Sequence, residues 1–154
     1  MIDLVTRRAR DVRRAVRPVV LALVVALAPL RAIAQQPFTS LTFFGDSYSD
    51  TGNLSRLTFG IFPLPPYAPG RFSNGPIWVD RFAQLAGRPQ DARPQFFDRG
   101  RSGNYAFAGA QTTNTGLGSP SSGLQVINYL TRPGATAQTR TDPTGLYSLF
   151  IGGN

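Results

Sequence analysis

At 154 residues the chain is long enough for one domain at most. It has no cysteine, which excludes a disulfide framework or a thiolate metal site, and no histidine, the commonest general base. Seven of its sixteen arginines and two of its eight aspartates precede Gln35, so +5 of the net charge of +8 sits on the first 34 residues. The remaining +3 accompanies no aromatic-interleaved basic stripe, so nucleic-acid binding finds no support. An apolar content of 42% argues against disorder.

Residues 1–17 are polar and Arg-rich, and Pro18 to Leu30 is almost wholly apolar. Ala32-Ile33-Ala34 then supplies a small-x-small site. These three regions describe a secretory signal peptide, with cleavage expected after Ala34. The apolar run is short for a bilayer span; a retained anchor is the alternative. Arg7-Arg8 leaves the general and twin-arginine export routes both open. The expected domains are a leader at 1–34 and a mature part at 35–154. The expected location is secreted, periplasmic or cell-surface, with membrane contact only through the export signal.

In the mature part, Ser40 to Phe44 reads as a strand that stops abruptly at Gly45. A polar turn follows, with Ser47 near its apex. Gly45 suits a sharp backbone bend. If a helix starts directly after the turn, its free N–H groups point at Ser47 and favour negative charge there. Asp46 and Asp50 read as turn and helix-start residues. Leu54 to Gly70 reads as a loop, because Pro63, Pro65, Pro66 and Pro69 exclude a regular helix. Its Phe59, Ile61, Phe62, Leu64 and Tyr67 suggest either packing onto the core or a substrate-cleft wall.

Ser73 or Asn74 is placed to cap a helix with Pro76 in its first turn, carrying Ile77, Trp78, Phe82 and Leu85 on one face and ending at Gly87. Ser102 to Ala110 reads as a short strand entering a small-residue turn. Leu124 to Leu130, with apolar residues at 124, 126, 127 and 130, reads as a helix ending before Pro133. Leu146 to Ile151 reads as a buried strand leading into Gly152-Gly153-Asn154. Strands alternating with helical segments predict an α/β class with a parallel sheet.

Phe44-Gly45-Asp46-Ser47 followed by Ser49-Asp50-Thr51-Gly52-Asn53 resembles the first signature block of the GDSL, or SGNH, esterases and lipases. That family usually carries Leu after the serine; here Tyr48 stands there. Arg71-Phe72-Ser73-Asn74-Gly75-Pro76-Ile77-Trp78-Val79 resembles the segment that follows in a secreted bacterial branch. Asn104-Tyr105-Ala106-Phe107-Ala108-Gly109 resembles the second block, and Gly152-Gly153-Asn154 the third, cut before its Asp.

The resemblance implies a flavodoxin-like three-layer sandwich, present here as an N-terminal part. It implies that Ser47 is the nucleophile, and that Gly109 (backbone N–H) and Asn154 (side-chain amide) complete an oxyanion hole. Gly109 can also be read as a glycine needed only for close packing, and Gly103 is the weaker alternative. No cofactor or metal is implied; the expected substrates are carboxylic esters of lipids or acetylated sugars. Ester hydrolysis needs a nucleophile, a base and oxyanion donors. The family's base is a His preceded by Asp at a spacing of three, and these 154 residues contain no His. Asp142 and Asp98 match no such block. The chain is therefore expected to be inactive alone and marginally stable. A non-catalytic exported binding or surface module on the same scaffold is the rival reading.

Overall fold

The computed structural model describes residues 38–98, 100, 102–113, 120–137 and 140–153. The expected leader, 1–34, lies outside the described residues, as does Asn154. The elements are β1 (Leu41–Gly45), α1 (Asn53–Leu57), α2 (Trp78–Leu85), a 3₁₀ turn at Pro89–Ala92, α3 (Ser122–Leu130) and β2 (Leu146–Phe150).

β1 and β2 pair in parallel, with Leu41 opposite Leu146 and Gly45 opposite Phe150. On its other side β1 meets the 103–107 segment. There Phe43 N–H donates to Gly103 O, Tyr105 N–H to Phe43 O and Phe107 N–H to Gly45 O, at 2.8, 2.8 and 3.0 Å. The expected strand at 102–110 thus contributes parallel bridges, at Asn104 alone, to Phe43 and to Pro94. It does not become a regular ladder, because the Ala106 N–H is diverted to Asn104 Oδ1 at 2.9 Å.

Alternation along β1 assigns the two faces. Leu41 and Phe43 pack with Ile77, Val79 and Ala83 of the α2 region, whereas Phe44 packs with Tyr105 and with Tyr129 of α3. Helices on opposite faces of a parallel sheet make three layers, as the fold class requires. Aromatic edges fill both interfaces: Phe43 against Trp78 at 5.6 Å and Phe44 against Tyr129 at 5.8 Å.

Four local expectations are corrected. α2 begins at Trp78, not at a Ser73 or Asn74 cap. A residue before proline disfavours helical backbone, so Pro76 blocks an earlier start. Asp80 instead reaches back to accept the Ile77 N–H at 3.0 Å. The supposed loop from Leu54 contains α1 over Asn53–Leu57. α3 buries Gln125 and Tyr129, while Leu124, Val126 and Ile127 are exposed. β2 is not buried: Leu149 is 59% and Phe150 53% exposed, because among the described residues only β1 pairs with it.

The loop ahead of α2 is tied down by Arg71, whose guanidinium donates to both Asp80 oxygens at 3.0 and 2.7 Å. Burial pushes the Asp80 carboxyl up, but the Arg71 bond and the Ile77 N–H outweigh it and leave its pKa lowered. A depressed folded-state pKa contributes stability above the ordinary carboxylate value, lost as pH falls through the folded one. Arg71→Ala should therefore lower the unfolding midpoint at neutral pH. The gap to the unmodified chain should begin to narrow as the pH drops below about 4 and close as it falls through the depressed Asp80 pKa, which a series of thermal melts across pH would read.

Candidate active site

β1 ends at Gly45, where a methyl group would stand 2.3 Å from the Phe150 carbonyl oxygen. The glycine is required by this close approach and not by a positive φ, which Gly45 does not have. The Ser49 and Asp50 N–H groups both donate to Asp46 O at 3.0 Å, closing a tight turn around Ser47 and Tyr48. Ser47 is half-buried. Among the described residues neither its hydroxyl nor its N–H has a hydrogen-bond partner.

Asp50 is buried and joins this turn to the second crossover. Its Oδ1 accepts from Gly52 and Asn53 N–H, and its Oδ2 from Leu54 N–H at 3.1 Å and Ala108 N–H at 2.9 Å. Burial pushes its pKa above the ordinary range, and the four N–H donors pull against that. The bond to Ala108 fixes the turn holding Gly109. Gly109 is exposed, has φ 81° and leaves its N–H unpartnered among the described residues.

Two buried asparagines complete the tie. Asn104 Nδ2 donates to Ser49 O and Thr51 Oγ1, both at 2.8 Å. Asn53 Nδ2 donates to Asn104 O at 3.0 Å and Ala106 O at 2.7 Å. From the opposite layer, Gln125 grips Gly45 at both ends, accepting its N–H and donating to its carbonyl at 2.8 Å each.

Asp46 makes the equivalent link to the third crossover. Its Oδ2 accepts from Gly152 and Gly153 N–H at 3.2 and 3.0 Å, and its Oδ1 from Tyr48 N–H at 3.1 Å. Gly153 lies so close to the Tyr48 ring that a methyl group there would meet it at 2.5 Å. Three strand-to-loop transitions therefore converge on one sheet edge, where parallel α/β sheets hold their ligands.

The structure brings Ser47 and Gly109 to that edge; Asn154, expected beside them, lies outside the described residues. The expectation that a helix start donates to Ser47 is corrected. α1 begins at Asn53, and Asp50 takes the N–H groups of Gly52, Asn53 and Leu54. Asp142 cannot act as a base here, because it is bonded to Ser40 Oγ at 2.6 Å, at the opposite end of β1. Asp98 accepts the Ser102 hydroxyl at 2.9 Å. The positioning roles of Asn53, Asn104 and Gln125 went unread in the sequence. Asn53 and Asn104 stood inside the quoted blocks, but Gln125 carried no signal.

Residues 41–154 match the family described as GDSL-like Lipase/Acylhydrolase. The chain belongs to that family. It is 45% identical over 58 residues to the phosphatidylcholine-sterol acyltransferase of Aeromonas hydrophila, covering 37% of this chain and 17% of that protein. It is 37% identical over 89 residues to acetylajmalan esterase 2 of Rauvolfia serpentina, covering 49% and 24%. With the thermolabile hemolysin of Vibrio parahaemolyticus it shares 33% over 101 residues, covering 64% and 21%. The chain thus spans about a quarter or less of the length of these relatives.

An Asn at position 50 offers one acceptor oxygen and turns its NH₂ toward N–H donors. Leaving buried donors unpaired costs about 1–3 kcal/mol each. Asp50→Asn should accordingly lower stability by at least about 2 kcal/mol, read as a shifted denaturant midpoint. An unchanged midpoint would show that the carboxylate does not hold the two crossovers together.

Proposed function

We propose that the protein is an exported serine ester hydrolase in which Ser47 is the nucleophile. The observation that carries this reading is the edge itself. The side chains of Asp46, Ser49, Asp50, Thr51 and Asn53 in this turn are all hydrogen-bonded, while the Ser47 hydroxyl, its N–H and the Gly109 N–H are left without partners among the described residues. In this reading Ser47 Oγ attacks the ester carbonyl carbon and its proton passes to a general base. The carbonyl oxygen becomes an oxyanion held by the Ser47 and Gly109 N–H groups, with the Asn154 amide as third donor. Collapse of the tetrahedral intermediate expels the alcohol, which takes the proton back from the base. Water then releases the acid by the same sequence. Each oxyanion donor of this kind is worth ~10²–10³ in rate.

The substrates proposed are carboxylic esters, with lipid acyl or acetyl groups. The relatives' names, an acyltransferase and an esterase among them, support ester chemistry of this kind. The leader-like residues 1–34 support export to the periplasm, the cell surface or the medium. These 154 residues contain no His, so they hold no counterpart of the histidine base that the family resemblance implies. That absence favours a second reading of the chain as it stands, a non-catalytic exported module on the same scaffold.

Two measurements separate the readings. The 154-residue chain alone should hydrolyse p-nitrophenyl acetate no faster than its Ser47→Ala variant. If the reading frame past codon 154 encodes Asp followed later by Asp-x-x-His, that longer protein should be active, and Ser47→Ala should cut its kcat by roughly 10⁴ or more. Full activity in the longer variant would remove Ser47 from the chemistry.

A further inference from the structure

Between α1 and α2 runs a loop, residues 58–70, without a single charged side chain. It was expected either to pack onto the core or to wall a cleft. The packing alternative is overturned: Phe59 is 88% exposed, Ile61 61%, Phe62 45%, Leu64 55% and Tyr67 47%. Its proline-rich backbone supplies no regular face to bury, so these side chains stay in solvent. Isolated exposed apolar residues are ordinary, but five between positions 59 and 67 mark an interaction surface.

The two feet of this loop, Ser55–Arg56 and Pro69–Arg71, form walls of a cavity of about 370 Å³, closed on another side by Ala92, Arg93 and Pro94. Three guanidinium groups and one carboxylate, Asp80, line it. Arg71 is paired with Asp80 at 2.7 Å. Arg56 donates to the carbonyls of Pro94 and Phe96 at 2.8 Å each, which holds it in place without cancelling its charge. Arg93 is exposed, and among the described residues its side chain has no partner. The cavity is cationic, and it sits at the base of the apolar loop.

We propose that this face docks on an anionic phospholipid surface. Loop 58–70 enters the headgroup and upper acyl region with its aromatic and aliphatic side chains, and Arg93 and Arg56 receive a headgroup phosphate in the cavity beneath. An apolar protein partner would account for the loop but not for the unpaired cation at its foot. The combination of a wet, positively charged base and an uncharged apolar tip matches the polarity gradient at the edge of a bilayer. No helix among the described residues is long and apolar enough to cross a membrane. It does not depend on hydrolysis, so Ser47→Ala protein docks equally.

The chain contains no cysteine, so one introduced thiol labels one site. Phe62→Cys in the full 154-residue chain carries an environment-sensitive fluorophore, NBD. Leu149→Cys, on the exposed part of β2, carries the same label as a comparator insensitive to this mode of docking. Far-UV circular dichroism checks both folds, and Tyr67→Cys replaces the first variant if it is misfolded. Phosphatidylcholine vesicles containing phosphatidylglycerol should shift the label at 62 to the blue and brighten it. Pure phosphatidylcholine, or inorganic phosphate alone, should not. Position 149 should stay unchanged. Arg93→Gln should raise the lipid concentration for half-maximal response about fivefold. The proposal fails if position 62 stays in water, if it answers neutral and anionic vesicles alike, if position 149 inserts instead, or if Arg93→Gln leaves the titration unmoved.

Discussion

Two aspartate side chains hold the candidate site together. In a parallel sheet the ladder of main-chain hydrogen bonds aligns the strands but stops where they end, so the crossovers beyond the edge need other ties. Asp46 and Asp50 provide them. Both sit in the first crossover, and each accepts N–H groups from its own turn and from a neighbour: Asp46 from Gly152 and Gly153, Asp50 from Ala108. Two carboxylates 1% exposed thereby join three chain segments that lie far apart in sequence.

No ion pair reaches either group among the described residues; the two salt bridges there join Arg71 to Asp80 and Arg88 to Asp91. Hydrogen bonding to main-chain N–H donors has a structural consequence. A cation would attract a carboxylate from many directions, whereas an N–H donor rewards only a narrow range of distance and angle. The main-chain donors therefore fix where the crossovers sit as well as that they meet. Asn53 and Asn104 extend the same logic by spending both ends of a side-chain amide on main-chain partners.

The parts of the fold legible in the sequence were those set by local patterning. The apolar runs marked β1 and β2, the spacing and flanking Pro and Gly marked α2 and α3, and the density of specific residues around Ser47 marked the turn. What escaped was decided by tertiary partners. α3 follows its expected limits closely, yet beside Tyr129 its inner face buries Gln125, because the Gly45 main chain beyond it needs both a donor and an acceptor and Gln125 carries both. Periodicity assigns apolar residues inward and has no means of anticipating that demand. The start of α2 turned on the Asp80 carboxylate overruling two better-looking caps. The exposure of residues 59–67 was invisible for the opposite reason: apolar composition suggests burial, and a proline-punctuated segment offers no repeating face with which to achieve it.

Ser47 is distinguished by contrast with this network. In a turn whose Asp46, Ser49, Asp50, Thr51 and Asn53 side chains are all hydrogen-bonded, the hydroxyl and N–H of half-buried Ser47 are without partners among the described residues; the same groups unpaired in the core would each be expensive. Catalysis by preorganisation asks for that combination, with donors unspent in the resting protein but held in place by bonds made elsewhere. The Ser47 N–H is held by the two Asp46 carbonyl bonds that close its turn, and the Gly109 N–H by the bond from Ala108 to Asp50. In the proposed reaction neither donor has to break a bond made among the described residues to meet a developing oxyanion. Main-chain donors fixed in this way move with the sheet edge and not with a side-chain rotamer, so the geometry at the serine is as rigid as the layer beneath it.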